Sequence, residues 1–526
     1  MLNKRKSAAL GIMTLASSLT IAGMAHAGEV TLSSGDGTVN MTGEFIDFQD
    51  NAYIIATALG ELRVAASRVS CSGASCPTFD TVETDITIGG SDVVGSGLMP
   101  LLLEGYAGAL NAAASLGNTG QNGELIATLT ADQGFGDDLV SFLVASTGSS
   151  DGFQQLLSGD AEIAMSSRRI VPDEARSLRD AGAGNMVDPA QEHIVAIDSL
   201  VIITNSGNPI DTLTTEEVRA IYSGQVNNWS QVGGPNLPIT VVTQSEDSGT
   251  RAVFEDRIFG ETQASLASGA QIATSGSEAS QMVNATEGAI GVVGYSFQRG
   301  ANPVSLVNEC GITMTPDAFS ARTEEYALQR RLYLYTREDT ISEQTQALVD
   351  FAESNDADSL IGKAGFIGFA VDRREQSLES GRARSLLDPS ADAYEAGFMR
   401  QMLGQMVDYD RLSTTFRFRT GSAQLDERGR IDRDRLVEYL ETQPAGTEVL
   451  MVGFTDDVGQ FDGNRSLSEQ RAQQVAQDLV SFAGNRLNGI TVSSVGYGEI
   501  APSGCNANQE GRRINRRVEV WIKSPA

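Results

Sequence analysis

Between residues 85 and 372, short apolar runs alternate with amphipathic stretches, and this alternation limits the possible folds more than any other feature of the chain. DITIGG, EIAMSS, HIVAIDSLVIIT, PITVVTQ and GAIGVVGY are nearly continuous in apolar residues, the pattern of strands covered on both faces. LTTEEVRAIYSG, lying among them, reads as a helix opened by a Thr214–Glu217 capping box, in which hydroxyl and carboxylate each satisfy a backbone N–H that the first turn leaves open. Strand–helix alternation of this kind predicts α/β layers on parallel sheets.

The flanks follow other rules. In residues 28–84, EFIDF, AYIIAT and ELRVAA are strand-like runs parted by DN and Gly turn signals, which predicts a small β module. Residues 373–410 are charged, then helical, and read as a linker. Residues 411–526 give a strand (TFRFR), a helix over 430–442, a strand (EVLMVGF), a helix over 467–483 with a Ser466–Glu469 capping box, and two strands (ITVSSV, RVEVWI). That order predicts an α+β sandwich. With about 150 residues per domain, three domains fit 526 residues.

Residues 1–27 have the form of a secretory signal: basic Lys4, Arg5 and Lys6, an apolar run over Ala8–Ala22, and Ala25-His26-Ala27 as an A-x-A cleavage site. The run is shorter than the roughly 20 residues of a membrane span, and no cysteine at the cleavage point suggests a lipid anchor. Export permits disulfides. Cys71 and Cys76 bracket SGAS, and a bridge closing this short loop is expected. Cys310 and Cys505 are left open between a cross-domain bridge and free thiols.

Charge and side-chain inventory exclude several functions. The chain carries a net −30, and −33 without the signal. Residues 28–410 hold 20 Lys/Arg against 53 Asp/Glu, whereas residues 411–526 balance at 15 and 15. Nucleic acid is not an expected partner for so acidic a body. Only His26 and His193 occur, which argues against His-dependent triads and multi-histidine metal sites. No catalytic residue, metal or cofactor is expected.

Three turns in the middle region suit an oxyanion. Ser248-Gly249-Thr250 follows PITVVTQ and opens a helix, and Ser149 in TGSSDG and Ser91, followed by Asp92, in GGSDVVG occupy similar strand-to-helix turns. Backbone N–H groups at a helix start are unsatisfied and the helix dipole favours negative charge there. Gly249 allows close backbone approach, and the hydroxyls add donors. These turns, with NNWSQVGG, AMSSRRI, GAIGVVGY and RRLYLYTRED, resemble the PstS-type phosphate-binding proteins over most of residues 85–372. The resemblance implies a type II-like two-lobed periplasmic-binding-protein fold, with lobe 1 at 85–195 and 290–372, lobe 2 at 196–289, and hinge strands near HIVAIDSLVIIT and GAIGVVGY. It implies phosphate contacts from Ser91, Asp92, Ser149, Ser167, Arg168, Ser248, Gly249 and Thr250. Two positions depart from the family pattern: Ser167 stands where an acidic proton acceptor is expected and Gln244 where an arginine is expected. Arg168 and Arg251 are the candidate replacement cations.

The C-terminal run GFTDDVGQFDGNRSLSEQRAQQV, followed by GYG and GRRINRRVEV, resembles the OmpA-like peptidoglycan-binding domain. Asp456 and Arg471 match its ligand-binding positions. A carboxylate beside a guanidinium suits a zwitterion, the carboxylate taking an ammonium and the Arg a carboxylate; the free end of diaminopimelate in a stem peptide is one. Asn464, Arg512 and Arg516 would support the pocket, while Arg417 and Arg419 read as a solvated face. Together the two resemblances imply a non-catalytic periplasmic receptor for phosphate or a similar oxyanion, held on peptidoglycan near the outer membrane and serving an ABC permease or a sensor. The alternative is a wall-associated scaffold that has lost phosphate and engages protein partners.

Overall fold

The computed structural model describes residues 28–525 apart from 34–39, 50–51, 59, 66–68, 74, 78–83, 118, 120, 122, 247, 261, 263, 388–392 and 419–426. The expected signal segment and Arg419 lie outside the described residues. The chain divides into two compact units, residues 1–78 and 79–526.

The first unit is the expected β module. Five strands form one antiparallel sheet in which the first four follow one another and the fifth, Ser70–Ser72, pairs with the first, Glu29–Ser33. The Cys71–Cys76 disulfide closes the loop after the last strand.

In the second unit, the apolar runs recognised from sequence are strands of one long sheet shared by two lobes. Lobe 1 places Ile163–Ser166, Ile86–Gly90 and Asp138–Ser146 side by side in parallel, under helices packed on Ile88, Leu102, Phe142 and Met165. Lobe 2 places Gln271–Ala273, Thr240–Gln244 and Ala289–Gly294 together, also parallel, around Trp229, Phe254 and Ile290. The sheet as a whole is mixed rather than parallel as expected. One cause is the antiparallel pairing of the lobe 1 edge strands Ala113–Gly117 and Glu124–Thr130; another is the 13-residue strand Glu192–Thr204, which runs through both lobes. Its first half pairs antiparallel with Gln329–Thr336 of lobe 1 and its second half antiparallel with Ala289–Gly294 of lobe 2.

The lobe boundaries differ from expectation for the same reason. The first crossing falls between Ser199 and Leu200. The return crossing is not near GAIGVVGY but at Leu328–Gln329, where Leu200 N–H donates to Leu328 O at 2.8 Å. Residues 304–314, assigned to lobe 1 from sequence, pack their Val304, Leu306 and Met314 into the lobe 2 core, and Tyr326 and Leu328 do likewise. The helix over Thr215–Tyr222 has the predicted capping box: Glu217 N–H donates to Thr214 Oγ1 at 3.1 Å and Thr214 N–H to the Glu217 carboxylate at 2.7 Å.

The C-terminal sheet orders Arg373–Arg374, Asp410–Arg417, Arg517–Lys523, Glu448–Gly453 and Thr491–Gly496. Alternate residues of a strand face opposite sides. Val449, Met451, Val520 and Ile522 point to the helices Glu427–Glu441 and Phe461–Ala483, while Leu450, Val452 and Trp521 meet Met402 and Met406 of the helix Glu395–Asp408. Residues 373–410 are therefore no free linker. They supply an edge strand and the cover of the sheet's second face, which would otherwise expose its apolar side chains. The helix expected over 467–483 starts at Phe461, so Ser466 and Glu469 are interior to it and form no cap. Its backbone lies close on two glycines: a Cβ at Gly453 would come within 2.1 Å of Ser468 O, and one at Gly496 within 2.3 Å of Glu469 N.

Candidate functional site

The cleft between the lobes gathers the predicted turns. Ser149 begins the helix Ser149–Ser158, and Ser248 caps Gly249–Ile258, its Oγ accepting from Thr250 N–H at 3.2 Å. Ser167 N–H donates to Ser149 Oγ at 3.1 Å. Gly249 faces this pair so closely that a Cβ there would sit 2.2 Å from Ser167 Oγ, so a larger residue would have to displace the serine hydroxyl. Ser91 is buried and its Oγ has no hydrogen-bond partner among the described residues. Asp92, Gln244 and Thr250 line a cavity of about 200 Å³ between the lobes. Burial pushes the Asp92 carboxyl above the ordinary range, against the opposing charge of Arg330.

The buried cation of the cleft is Arg330, on the strand Gln329–Thr336. Its Nε and Nη2 donate to Asp198 Oδ2 at 3.0 and 2.7 Å, and Nη2 also to Thr250 Oγ1 at 3.0 Å. Asp198 is fully buried on the crossing strand, and its Oδ1 accepts from Ser199 N–H and Tyr295 N–H at 2.8 and 2.9 Å. Arg330 Nη1 is buried and unpartnered among the described residues. An unpaired guanidinium N–H inside a protein is costly, and a bound anion would satisfy it. The two cations expected from sequence are engaged elsewhere. Arg168 makes a bidentate pair with Glu174 at 2.6 and 2.9 Å and also donates to Ser150. Arg251 pairs with Glu255 at 2.7 Å, one helical turn along. Gln244 Oε1 accepts the Ser248 hydroxyl, so the residue in the expected arginine's place holds that hydroxyl's one proton.

Arg330 itself borders a different cavity, of about 500 Å³. Its walls come from lobe 1 (Arg168, Glu192), lobe 2 (Asp256, Arg257) and the C-terminal domain (Glu510, Arg513).

In the C-terminal domain, Asp456 lies in the turn after Glu448–Gly453. It accepts from Val458 N–H at 3.3 Å and from Arg516 Nη1 at 2.7 Å. Asn464 donates to Asp456 O at 3.3 Å. Arg471 is well inside the helix rather than in its first turns, and is buried with its guanidinium over the Phe418 ring at 5.2 Å. Burial and the like charge of Arg516 depress its basicity, and the charge of Asp456 opposes them, so all three side chains share one electrostatic neighbourhood. Arg512 instead donates to Asn506 O. Arg417, expected on a solvated face, is buried, with Nε 2.7 Å from Glu324 Oε2.

Residues 84–370 match a family model described as a PBP superfamily domain. The chain belongs to the PBP superfamily. Beyond the PBP-superfamily domain, residues 417–516 match the OmpA family model, so an OmpA-family domain follows it. Among curated relatives, the phosphate-binding protein PstS of Borreliella burgdorferi is 24% identical over 227 residues, covering 42% of this chain and 77% of its own. Protein SphX of Synechococcus elongatus is 27% identical over 242 residues, covering 43% and 69%. An ABC-type phosphate transport receptor from Vibrio cholerae is a similar solved structure, 27% identical, covering 54% of this chain and 99% of its own with a TM-score of 0.41.

Within the PBP-superfamily domain, sequence reasoning missed Arg330 and Asp198. The available signal was an Arg pair opening RRLYLYT and one aspartate in the middle of HIVAIDSLVIIT. A charge inside an apolar strand is expensive unless paired, so the two belong together.

Proposed function

We propose that this protein is a non-catalytic periplasmic receptor that encloses phosphate between its lobes by hinge motion and is held on peptidoglycan by its OmpA-family domain. The observation that carries the anion reading is Arg330, a buried guanidinium whose Nη1 has no partner among the described residues and whose Nη2 donates to Thr250 Oγ1, in the cleft that also holds the turns of Ser91, Ser149 and Ser248. The loss of an acidic residue at Ser167 is matched by Asp92, and the loss of an arginine at Gln244 by Arg330. This favours a ligand-binding cleft over a scaffold that has lost its ligand. A carboxyl in an anion cage selects for a shared proton: hydrogen phosphate brings one, whereas sulfate must take it from Asp92. The relatives named for phosphate binding support the same ligand, and delivery to an ABC permease or sensor is the role that fits them.

Calorimetric titration of the full chain tests this. Phosphate should bind at pH 6 and pH 8, and sulfate, which brings no proton to share with Asp92, should bind more weakly than phosphate at both. Ser248→Ala with Thr250→Ala should weaken phosphate binding by several kcal/mol, since hydrogen bonds to a charged group are worth about 1.5–3 kcal/mol each. No heat with either anion from folded protein would reject the anion reading.

The wall reading rests on the Arg516–Asp456 pair and the nearby charge of Arg471. The ammonium of diaminopimelate would take Asp456 and its carboxylate the arginines. Asp456→Ala should abolish co-sedimentation with purified peptidoglycan, and sedimentation equal to the parent chain would reject the assignment.

A further inference from the structure

The OmpA-family domain lies across both lobes and the hinge of the PBP-superfamily domain. On lobe 1 it holds Asp358 and Glu353 O through Arg435, and Asn355 through Glu438. On lobe 2 the Cys310–Cys505 disulfide fastens it beside an Asn508–Glu309 hydrogen bond, and Arg257 Nη1 lies 3.3 Å from Glu510 Oε1. Between these points is the turn leading to the return crossing. Glu324 there is buried with φ +58°, a left-handed conformation unfavourable for a side chain with a Cβ. Arg331, Arg417 and Arg513 all bind its carboxylate, the last at 2.8 Å. The next residue, Glu325, takes Arg411 at 2.8 and 3.0 Å.

One short helix, Gln509–Asn515, joins this hinge to the wall site. Arg513 on it binds Glu324, Glu510 faces Arg257, and both line the cavity that borders Arg330. Arg516, directly after its last residue, holds Asp456. On the wall reading, the ammonium of a stem peptide would take Asp456 and its carboxylate Arg516. Occupation of the wall site would therefore exchange the Arg516–Asp456 contact at one end of the helix for contacts to the peptide, while the other end holds the hinge turn.

Building on the receptor reading above, we propose that the hinge face of the PBP-superfamily domain is the docking surface of the OmpA-family domain, and that through helix Gln509–Asn515 a stem peptide at Asp456 lowers the affinity of the cleft for its anion. Such coupling is reciprocal for binding affinities and commonly amounts to about 5- to 150-fold.

The test is calorimetry on the full, oxidised chain with inorganic phosphate and a soluble stem peptide ending in diaminopimelate. Saturating peptide should raise the phosphate Kd at least about fivefold, and saturating phosphate should raise the peptide Kd by the same factor. Glu324→Gln should remove the coupling. Arg513→Gln, on a partly exposed side chain, tests the same link if the first variant fails to fold, and should leave both separate affinities in place. An unchanged or tightened phosphate Kd, or full coupling in Arg513→Gln, overturns the proposal. If phosphate alone gives no heat, the anion reading has failed on its own. Hydrogen exchange of residues 323–330 then decides the coupling: faster exchange on adding the peptide supports it and unaltered exchange overturns it.

Discussion

Arg330→Ala should both destabilise the PBP-superfamily domain and abolish anion binding. The substitution leaves Asp198 buried with its charge uncompensated, and breaking a buried pair from one side costs about 3–5 kcal/mol. It also removes the cation of the cage, where each charge-assisted bond is worth about 1.5–3 kcal/mol, a factor of ten or more in Kd. The double variant Arg330→Met/Asp198→Asn separates the two effects. Asn keeps the acceptor for Ser199 N–H and Tyr295 N–H and no charge is stranded, so thermal stability should recover much of the loss while phosphate binding does not return. Binding retained by the double variant would move the anion away from Arg330.

Glu519→Ala should be comparably damaging, in the OmpA-family domain. The Glu519 carboxylate is fully buried and accepts from Arg382 at 2.9 and 3.0 Å, Arg517 at 2.8 Å and Trp521 Nε1 at 2.9 Å, with Arg411 Nε at 3.2 Å. Its loss removes the carboxylate shared by Arg382, Arg411 and Arg517 and leaves only Arg411 of the three paired with Glu325, and about 3–5 kcal/mol is expected from the stranded charge. The same cluster sets an acid limit. Burial alone would raise the Glu325 carboxyl, but the charge and hydrogen bonds of Arg411 together with the charge of Arg517 hold the group at about 2. Glu519 is held lower still, by Arg382, Arg411 and Arg517 against burial. An unfolded glutamate titrates near 4.3. Carboxylates depressed in the folded state contribute stability above the unfolded value and lose it as pH falls through the folded one. Thermal stability of the oxidised chain should therefore fall from about pH 4.5 toward about pH 2. In Glu519→Ala the slope over that range should be shallower. An identical slope in both proteins would show that other carboxylates control it.

What could be read from sequence tracks how local the physics is. EVLMVGF and PITVVTQ were legible as strands because both of their faces are buried, and the Thr214 cap because it is complete within four residues. The hinge was only half legible. HIVAIDSLVIIT is apolar from end to end, so nothing in it marks where one lobe's pairing gives way to the other's, and the return crossing depends on a backbone bond between residues 128 positions apart, Leu200 and Leu328. The start at Phe461 was hidden because FDGNRS is polar and contains glycine, whereas Ser466–Glu469 mimics a cap. Residues 373–410 looked like a linker because the charges at their start mask Met402 and Met406. The buried arginines at 330, 411 and 417 were the least legible, since the carboxylates that balance them, Asp198, Glu325 and Glu324, are remote in sequence.

Asp198 and Arg330 sit at the two chain crossings, and a point on a hinge axis is displaced least when the lobes part. On the proposed closure around an anion, the Arg330 guanidinium would then be in place before the hydroxyls of either lobe arrive, and arrival and escape would fall to different residues. The association rate should depend on Arg330 and on ionic strength, whereas residence time should depend on Ser149 and Thr250, which swing in from opposite sides and set the dissociation rate.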